Sequence, residues 1–149
     1  MKILMVCLGN ICRSPLAEGI LRAKLNNGYF IDSAGIGDWH VGQPPDKRSV
    51  SIARKYGIDI SSQTARQFRS KDFDDFDLIL VMDESNYDEI ISLANSEEQK
   101  AKVRLILEHS DLENKNVPDP YFGGEDEFES VYQLLDEATN VLIEKIKLP

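Results

Sequence analysis

The sequence predicts an α/β fold built on a parallel sheet. Short apolar runs without alternation, such as Ile3 to Val6 and Leu78-Ile79-Leu80-Val81, suit strands buried on both faces. Longer segments between them repeat apolar residues at helical spacing. The two kinds alternate along the chain, which is the signature of a parallel sheet with crossover helices. At 149 residues, one domain spanning 1–149 is expected.

The elements follow in order. Ile3 to Val6 is the first strand, bounded by a glycine-containing loop. Ser14-Pro15 signals a helix start, with Ser14 as N-cap and Pro15 at the first helical position. Ala17, Ile20, Leu21 and Leu25 share one face of that helix, and Asn26-Asn27-Gly28 ends it. Tyr29-Phe30-Ile31 is a second strand. Pro44-Pro45 opens a second helix that Gly57 closes. Asp77 to Met82 is the clearest buried strand in the chain. Tyr87, Ile90, Ile91 and Ala94 form a helical stripe, and Val103 to Leu107 is a fourth strand. Phe128, Val131, Leu135, Ala138, Leu142 and Ile146 make a long amphipathic C-terminal helix. Ligands of such sheets bind beyond the carboxyl ends of the strands, where the strand order switches. The loop after the first strand is therefore the first place to look. The long irregular stretch from Glu108 to Glu127 is the second, because long loops in compact domains are often functional.

Charge narrows the function classes. The chain carries 17 Lys/Arg against 26 Asp/Glu, a net charge of −9, with 42% hydrophobic and 29% charged residues. The distribution is uneven: residues 1–70 hold 10 basic and 5 acidic side chains (+5), and residues 71–149 hold 7 and 21 (−14). An acidic balance of this size argues against nucleic acid and anionic membranes as partners. No apolar run approaches the ~20 residues of a membrane span. Met1-Lys2-Ile3-Leu4-Met5-Val6 is basic then apolar but too short for a secretory signal. Two cysteines cannot staple a disulfide scaffold. A reduced, cytoplasmic protein is expected.

The loop after the first strand reads Cys7-Leu8-Gly9-Asn10-Ile11-Cys12-Arg13-Ser14-Pro15. Taken alone, Cys7 reads as a small buried residue and Arg13 as surface charge. Together, around a glycine able to take positive φ, they suit a loop that curls its backbone N–H groups into a nest for a tetrahedral oxyanion. The helix start adds free amides and the positive end of its dipole. Arg13 can grip two equatorial oxygens. Cys7 then lies below the phosphorus, where the same field favours its thiolate and Ser14 can donate a hydrogen bond to sulfur. Attack by that sulfur on a phosphoryl group gives a cysteinyl-phosphate. Other motifs fail. There is no nucleotide P-loop, Gly35-Ile36-Gly37 breaks off the dinucleotide fingerprint at His40, and no zinc set can be assembled from Cys7, Cys12, His40 and His109. Neither a metal site nor a cofactor site is expected. The leaving oxygen needs a proton. His40 and His109 lack motif context, whereas Val117-Pro118-Asp119-Pro120-Tyr121 fixes one carboxylate between two prolines.

These residues resemble the low-molecular-weight protein tyrosine phosphatase family over essentially the whole chain. The matching stretches are Val6 to Pro15, Asp32-Ser33-Ala34, Ala65-Arg66-Gln67, Met82 to Asn86 and Pro118 to Tyr121. The resemblance implies a four-stranded parallel sheet flanked by helices on both faces, and metal-free hydrolysis of phosphotyrosine proteins or small aryl phosphates. By matching position, Cys7 is the nucleophile, Arg13 binds phosphate, and Asn10 holds the loop in its strained shape with Ser33. Ser14 supports the thiolate, and Asp119 is acid in the first step and base in the second. Leu8, Gly9, Asn10, Ile11, Cys12 and Ser14 complete the phosphate loop. Trp39 and Tyr121 are expected as the walls of the substrate slot, and two aromatic walls suit a phenyl ring. Many relatives carry a histidine just before Ala-Arg-Gln, expected to pair with the aspartate matching Asp83. Here that stretch is Ser61-Ser62-Gln63-Thr64-Ala65.

Protein-arginine phosphatases share the scaffold, but there a threonine is expected where this chain has Ile11. An apolar residue disfavours the extra polar group of phosphoarginine. Related arsenate reductases need further cysteines for a thiol relay, and this chain has none after Cys12. A phosphopeptide-binding module or a phosphocysteine carrier has no need of Asp119. Cys12, five residues from Cys7, is expected to capture an oxidised Cys7 as a reversible disulfide.

Overall fold

The computed structural model describes residues 1–147. In chain order it contains β1 (Lys2–Cys7), α1 (Arg13–Lys24), β2 (Phe30–Gly35), α2 (Lys47–Lys55), α3 (Asp72–Asp75), β3 (Leu78–Val81), α4 (Glu84–Leu93), α5 (Glu97–Ala101), β4 (Val103–Leu105) and α6 (Glu125–Lys147). The four strands form one sheet of order β2-β1-β3-β4. Every neighbouring pair is parallel, with Cys7 opposite Gly35 and Val6 opposite Val81. The α/β class, the parallel sheet and the flanking helices are as the sequence predicts.

The apolar runs explain the layers. Ile3, Met5 and Cys7 point to a core completed by α1 and α6, through Leu16, Ile20, Leu21, Val131 and Leu135. Leu4, Val6, Ile79 and Val81 point to the opposite core, with Phe68, Phe73 and Ile90. The chain runs from β1 to β2 on one side and then to β3 on the other. The switch of strand order thus lies at the carboxyl ends of β1 and β3, where both the loop after β1 and Met82-Asp83 emerge.

Several boundaries differ from the sequence reading. Ser14 does not cap α1: the helix already begins at Arg13, and Cys12 precedes it with no side-chain cap. The Ser14 hydroxyl is engaged elsewhere, as described below. α2 starts at Lys47 rather than at the prolines, because the Asp46 side chain accepts from the Arg48 backbone N–H at 2.8 Å and supplies the cap. β2 runs on through Asp32 and Ser33 to Gly35. Its polar residues look unsuited to a buried strand but have partners there: Ser33 bonds Asn10 and Glu18, and Asp32 pairs with Arg66. β4 stops at Leu105, after which Ile106 and Leu107 turn into the core.

Candidate active site

The phosphate loop is shaped from behind by β2. A side chain at Gly35 would place its Cβ 3.0 Å from the Gly9 carbonyl carbon and 3.1 Å from the Asn10 nitrogen, so only glycine allows this approach. The Ile36 and Gly37 N–H groups donate to the Cys7 and Leu8 carbonyls at 3.0 and 2.9 Å. The left-handed residue of the loop is Asn10, with φ 58°, and not Gly9. At Gly9 the space is tight instead: a Cβ there would meet His40 Cδ2 at 3.1 Å, so the histidine ring would have to give way. Asparagine tolerates this conformation when its side chain is held, and here it is saturated. Asn10 Oδ1 accepts from the Arg66 N–H at 3.1 Å, while Nδ2 donates to Ser14 Oγ at 2.8 Å and to Ser33 Oγ at 3.0 Å.

That arrangement fixes the direction of the protons. Ser33, receiving from Asn10, gives its own proton to Glu18 Oε1 at 2.7 Å. Ser14, receiving from Asn10, has its proton available for Cys7 Sγ at 3.0 Å. The Asn10 N–H also points at Cys7 Sγ, 3.3 Å away. Two donors thus converge on one sulfur. Glu18 anchors the chain from a buried position, also pairing with Arg22 at 2.8 Å. Burial raises its pKa, and the Ser33 hydrogen bond and the Arg22 charge offset this only in part. The backbone N–H groups of Gly9, Ile11 and Cys12 donate to no protein acceptor among the described residues, which leaves them free for the oxygens of an oxyanion.

Arg13 is 3% exposed. Its Nη1 donates to Asp83 Oδ2 at 2.7 Å and to the Val117 carbonyl at 2.9 Å. Among the described residues its Nε and Nη2 make no hydrogen bond, so one edge of the fork can receive two oxygens. Burial opposes its charge. The Cys7 thiolate, the Asp83 hydrogen bond and the charges of Asp83 and Asp119 outweigh that and raise its pKa above the ordinary arginine value. Val117 also donates its N–H to the Met82 carbonyl at 2.8 Å, which fastens the start of the Asp119 loop to the end of β3. Asp119 Oδ2 lies 3.8 Å from Arg13 Nη2, and its other oxygen accepts the Tyr121 N–H at 3.1 Å. The Asp119 side chain is 45% exposed, open to a substrate or to water.

These groups meet in one cleft of about 220 Å³. Its floor holds Cys7, Gly9, Ile11, Cys12 and Arg13, and Asp119 stands at one side. Leu8, Trp39, His40, Tyr121 and Phe122 form the walls and rim. Asn10 and Ser14 lie behind the floor, acting through the hydrogen bonds above. Trp39 is 64% exposed. Its ring covers Gly37, where any Cβ would collide with it. The structure thus brings together every residue that the sequence nominated for the site.

The low molecular weight phosphotyrosine protein phosphatase family model matches residues 2–148. The chain belongs to this family. A Bacillus subtilis low molecular weight protein-tyrosine-phosphatase, YfkJ, is 43% identical over 153 residues, which cover 98% of this chain and 96% of the relative. A crystal structure of a protein tyrosine phosphatase from Entamoeba histolytica superposes with a TM-score of 0.91 at 38% identity, covering 99% of this chain and 97% of that one. Vibrio vulnificus Wzb in complex with benzylphosphonate superposes with a TM-score of 0.87 at 34% identity, covering 97% of each chain.

Within the family fold, three supports of the site were not nominated from sequence. Asp83, expected to pair with a histidine, instead takes Arg13 Nη1 and the Asn86 N–H. Gln63, in the segment that lacks that histidine, donates to the Pro15 carbonyl at 3.1 Å, and among the described residues its buried Oε1 has no partner. Glu18 looks like a surface carboxylate in a helical sequence yet is buried beneath Ser33. His40, read as context-free, belongs to the cleft wall. Its Nδ1 pairs with Gln43 Oε1 at 3.0 Å. No sequence signal separates Gln63, Glu18 and His40 from ordinary polar positions, whereas Asp83 falls in the Met82 to Asn86 stretch that carries the family resemblance. Among the described residues, no helix is long and apolar enough to cross a membrane.

Proposed function

We propose that residues 1–149 act as one catalytic domain that hydrolyses phosphotyrosine in proteins, or small aryl phosphates, through a cysteinyl-phosphate. The observation that carries this reading is the convergence of Cys7, Arg13 and Asp119 on one aromatic-walled cleft. The phosphoryl oxygens sit among the free loop amides and the open edge of Arg13. Cys7 Sγ attacks phosphorus from below as the P–O bond to the ring breaks. Asp119 gives its proton to the departing phenolate oxygen. In the second step Asp119 takes a proton from water, the water oxygen attacks phosphorus, and the S–P bond breaks to release phosphate and the thiolate. Ser14 and the Asn10 N–H hold the sulfur between the two steps. Trp39 and Tyr121 flank the ring, and the benzylphosphonate bound by the Vibrio relative likewise pairs a phenyl ring with a tetrahedral phosphorus group.

Ile11 supports phosphotyrosine over phosphoarginine, because it puts an apolar side chain in the cleft floor where a polar group would need a partner. Asp119 supports hydrolysis over mere phosphopeptide binding. The proposed site is the reduced cytoplasm, where Cys7 and Cys12 stay as thiols, both being free here. On oxidation, peroxide converts Cys7 to a sulfenic acid. Cys12 then attacks that sulfur, forming the disulfide and releasing water.

Kinetics on phosphotyrosine and phosphoarginine peptides test the reading, with Cys7→Ser and Asp119→Ala as variants. Cys7→Ser should bind phosphate analogues without turnover. Asp119→Ala should lose about 10²- to 10⁴-fold with poor leaving groups and far less with good ones. Residual hydrolysis by Cys7→Ser, or a parent that prefers phosphoarginine, would refute it.

A further inference from the structure

Arg48, on α2, lies outside the cleft and yet is heavily engaged beside it. Its Nη2 donates to the Tyr121 carbonyl at 2.8 Å and its Nη1 to the Gly123 carbonyl at 3.1 Å. Nε and Nη2 grip the two Asp46 carboxylate oxygens, each at 3.0 Å. The guanidinium carbon also lies 4.6 Å from the Phe128 ring centroid and 5.6 Å from that of Tyr121. Among the described residues, the only hydrogen bonds reaching residues 118–123 from another part of the fold are these two from Arg48. The other bonds of this loop are internal, such as Tyr121 N–H to Asp119 and Gly123 N–H to Pro120. The far end of the clamp is fastened to the phosphate loop. Asp46 donates its N–H to the Ile11 carbonyl at 2.8 Å, and Ser49 donates its hydroxyl to the Cys12 carbonyl at 3.4 Å.

We propose that Arg48 is a positioning residue for the reaction, tying the Asp119–Tyr121 loop through Asp46 to the loop that carries the nucleophile. The proposal rests on the reading of Asp119 as general acid. The acid is exposed, and its loop has neither a strand nor a helix to hold it. A proton donor must stay within hydrogen-bond reach of the leaving oxygen, and a displacement of about 1 Å can cost about 100-fold. Arginine suits the task because one planar fork serves two carbonyls and both oxygens of a carboxylate at once, four bonds where an ammonium has three donors.

The experiment compares Arg48→Ala, Arg48→Lys, Asp119→Ala and the Arg48→Ala/Asp119→Ala double variant on aryl phosphates of graded leaving-group pKa. Arg48→Ala should lower kcat/KM about 10- to 100-fold for the poorest leaving groups and little for the best, and Arg48→Lys should recover only part of it. In the Asp119→Ala background, removing Arg48 should add little, since it acts through the lost acid. A loss that is uniform across the series, or that multiplies in full in the double variant, overturns the clamp. If Asp119→Ala alone loses evenly across the series, it is the acid reading that fails. The clamp is then decided by limited chymotrypsin digestion, which should cut Arg48→Ala at Tyr121-Phe122 faster than the parent. Equal rates would overturn it. Should Arg48→Ala fail to fold, Arg48→Lys and Asp46→Asn carry the same measurements.

Discussion

Asn10 carries more of the site than its size suggests. Its left-handed backbone bends the loop, its side chain saturates three partners, and its N–H reaches the sulfur. The two cysteines of the same loop are driven apart chemically. Burial, followed by the charges of Asp46, Cys7 and Asp119, pushes the Cys12 thiol up to about 12. Cys12 is therefore a thiol at neutral pH and does not compete with Cys7 for phosphorus. Burial, the largest cause, persists after Cys7 is oxidised. Because the thiolate is the attacking form, disulfide closure should speed up about tenfold per pH unit through the neutral range. After peroxide and then dithiothreitol, Cys12→Ser should recover less activity than the parent. Equal recovery, or closure independent of pH, would sink the pairing.

At the scale of elements, α1 matters most, because Arg13 and Ser14 ride on its first turn and Glu18 on its second. Its seating depends on Gly19. A Cβ there would lie 2.4 Å from Ile60 Cγ2 and 3.3 Å from Ile58 Cγ2. Gly19→Ala should therefore push α1 away from the segment after α2, costing about 1–3 kcal/mol. Turnover should fall with stability, since the phosphate loop ends in this helix. Thermal unfolding and kcat/KM together check it, and a variant as stable as the parent would mean that the segment yields freely. Elements of this length were legible in the sequence because many apolar positions repeat: β1, β3, α4 and α6 all fall where the pattern puts them. The start of α1 was not, since Ser14 has the chemistry of a cap but spends its hydroxyl on Cys7. α3 and α5, of 4 and 5 residues, are too short to show a period. The site was legible wherever its residues are close in sequence, from Cys7 to Ser14 and at Asp119. The pairing of Asp83 with Arg13, 70 residues away, and of Arg48 with Tyr121, 73 away, becomes visible only once the chain is folded.

The uneven charge acquires a meaning at the scale of the whole molecule. The +5 and −14 parts of the chain meet in ion pairs that cross between them. Arg13 pairs with Asp83, Lys24 with Asp136, Lys55 with Glu129, and Arg66 with Asp72. The Glu129 junction joins the end of α2 to α6. Its carboxylate accepts from Lys55 Nζ at 2.5 Å, from Tyr56 Oη at 2.7 and 2.8 Å, and from Gln133 Nε2 at 3.1 Å. The Tyr56 ring stacks on Tyr132 of α6, with centroids 4.3 Å apart. The Lys55 hydrogen bond, followed by those of Tyr56 and Gln133, lowers the Glu129 pKa from 4.5 to about 2. A carboxylate with a depressed folded-state pKa stabilises the fold fully above its unfolded value. That contribution fades as the pH falls from 4.5 towards about 2. The site is solvent-exposed, so added salt should weaken it. Glu129→Gln should melt at a lower temperature than the parent at neutral pH and low salt. The gap should narrow with added salt and close as the pH drops through that window. Melting curves recorded across that range decide it. A gap that stays constant with pH would show that the glutamine loses packing or geometry, and that the charge of Glu129 does not join the two halves.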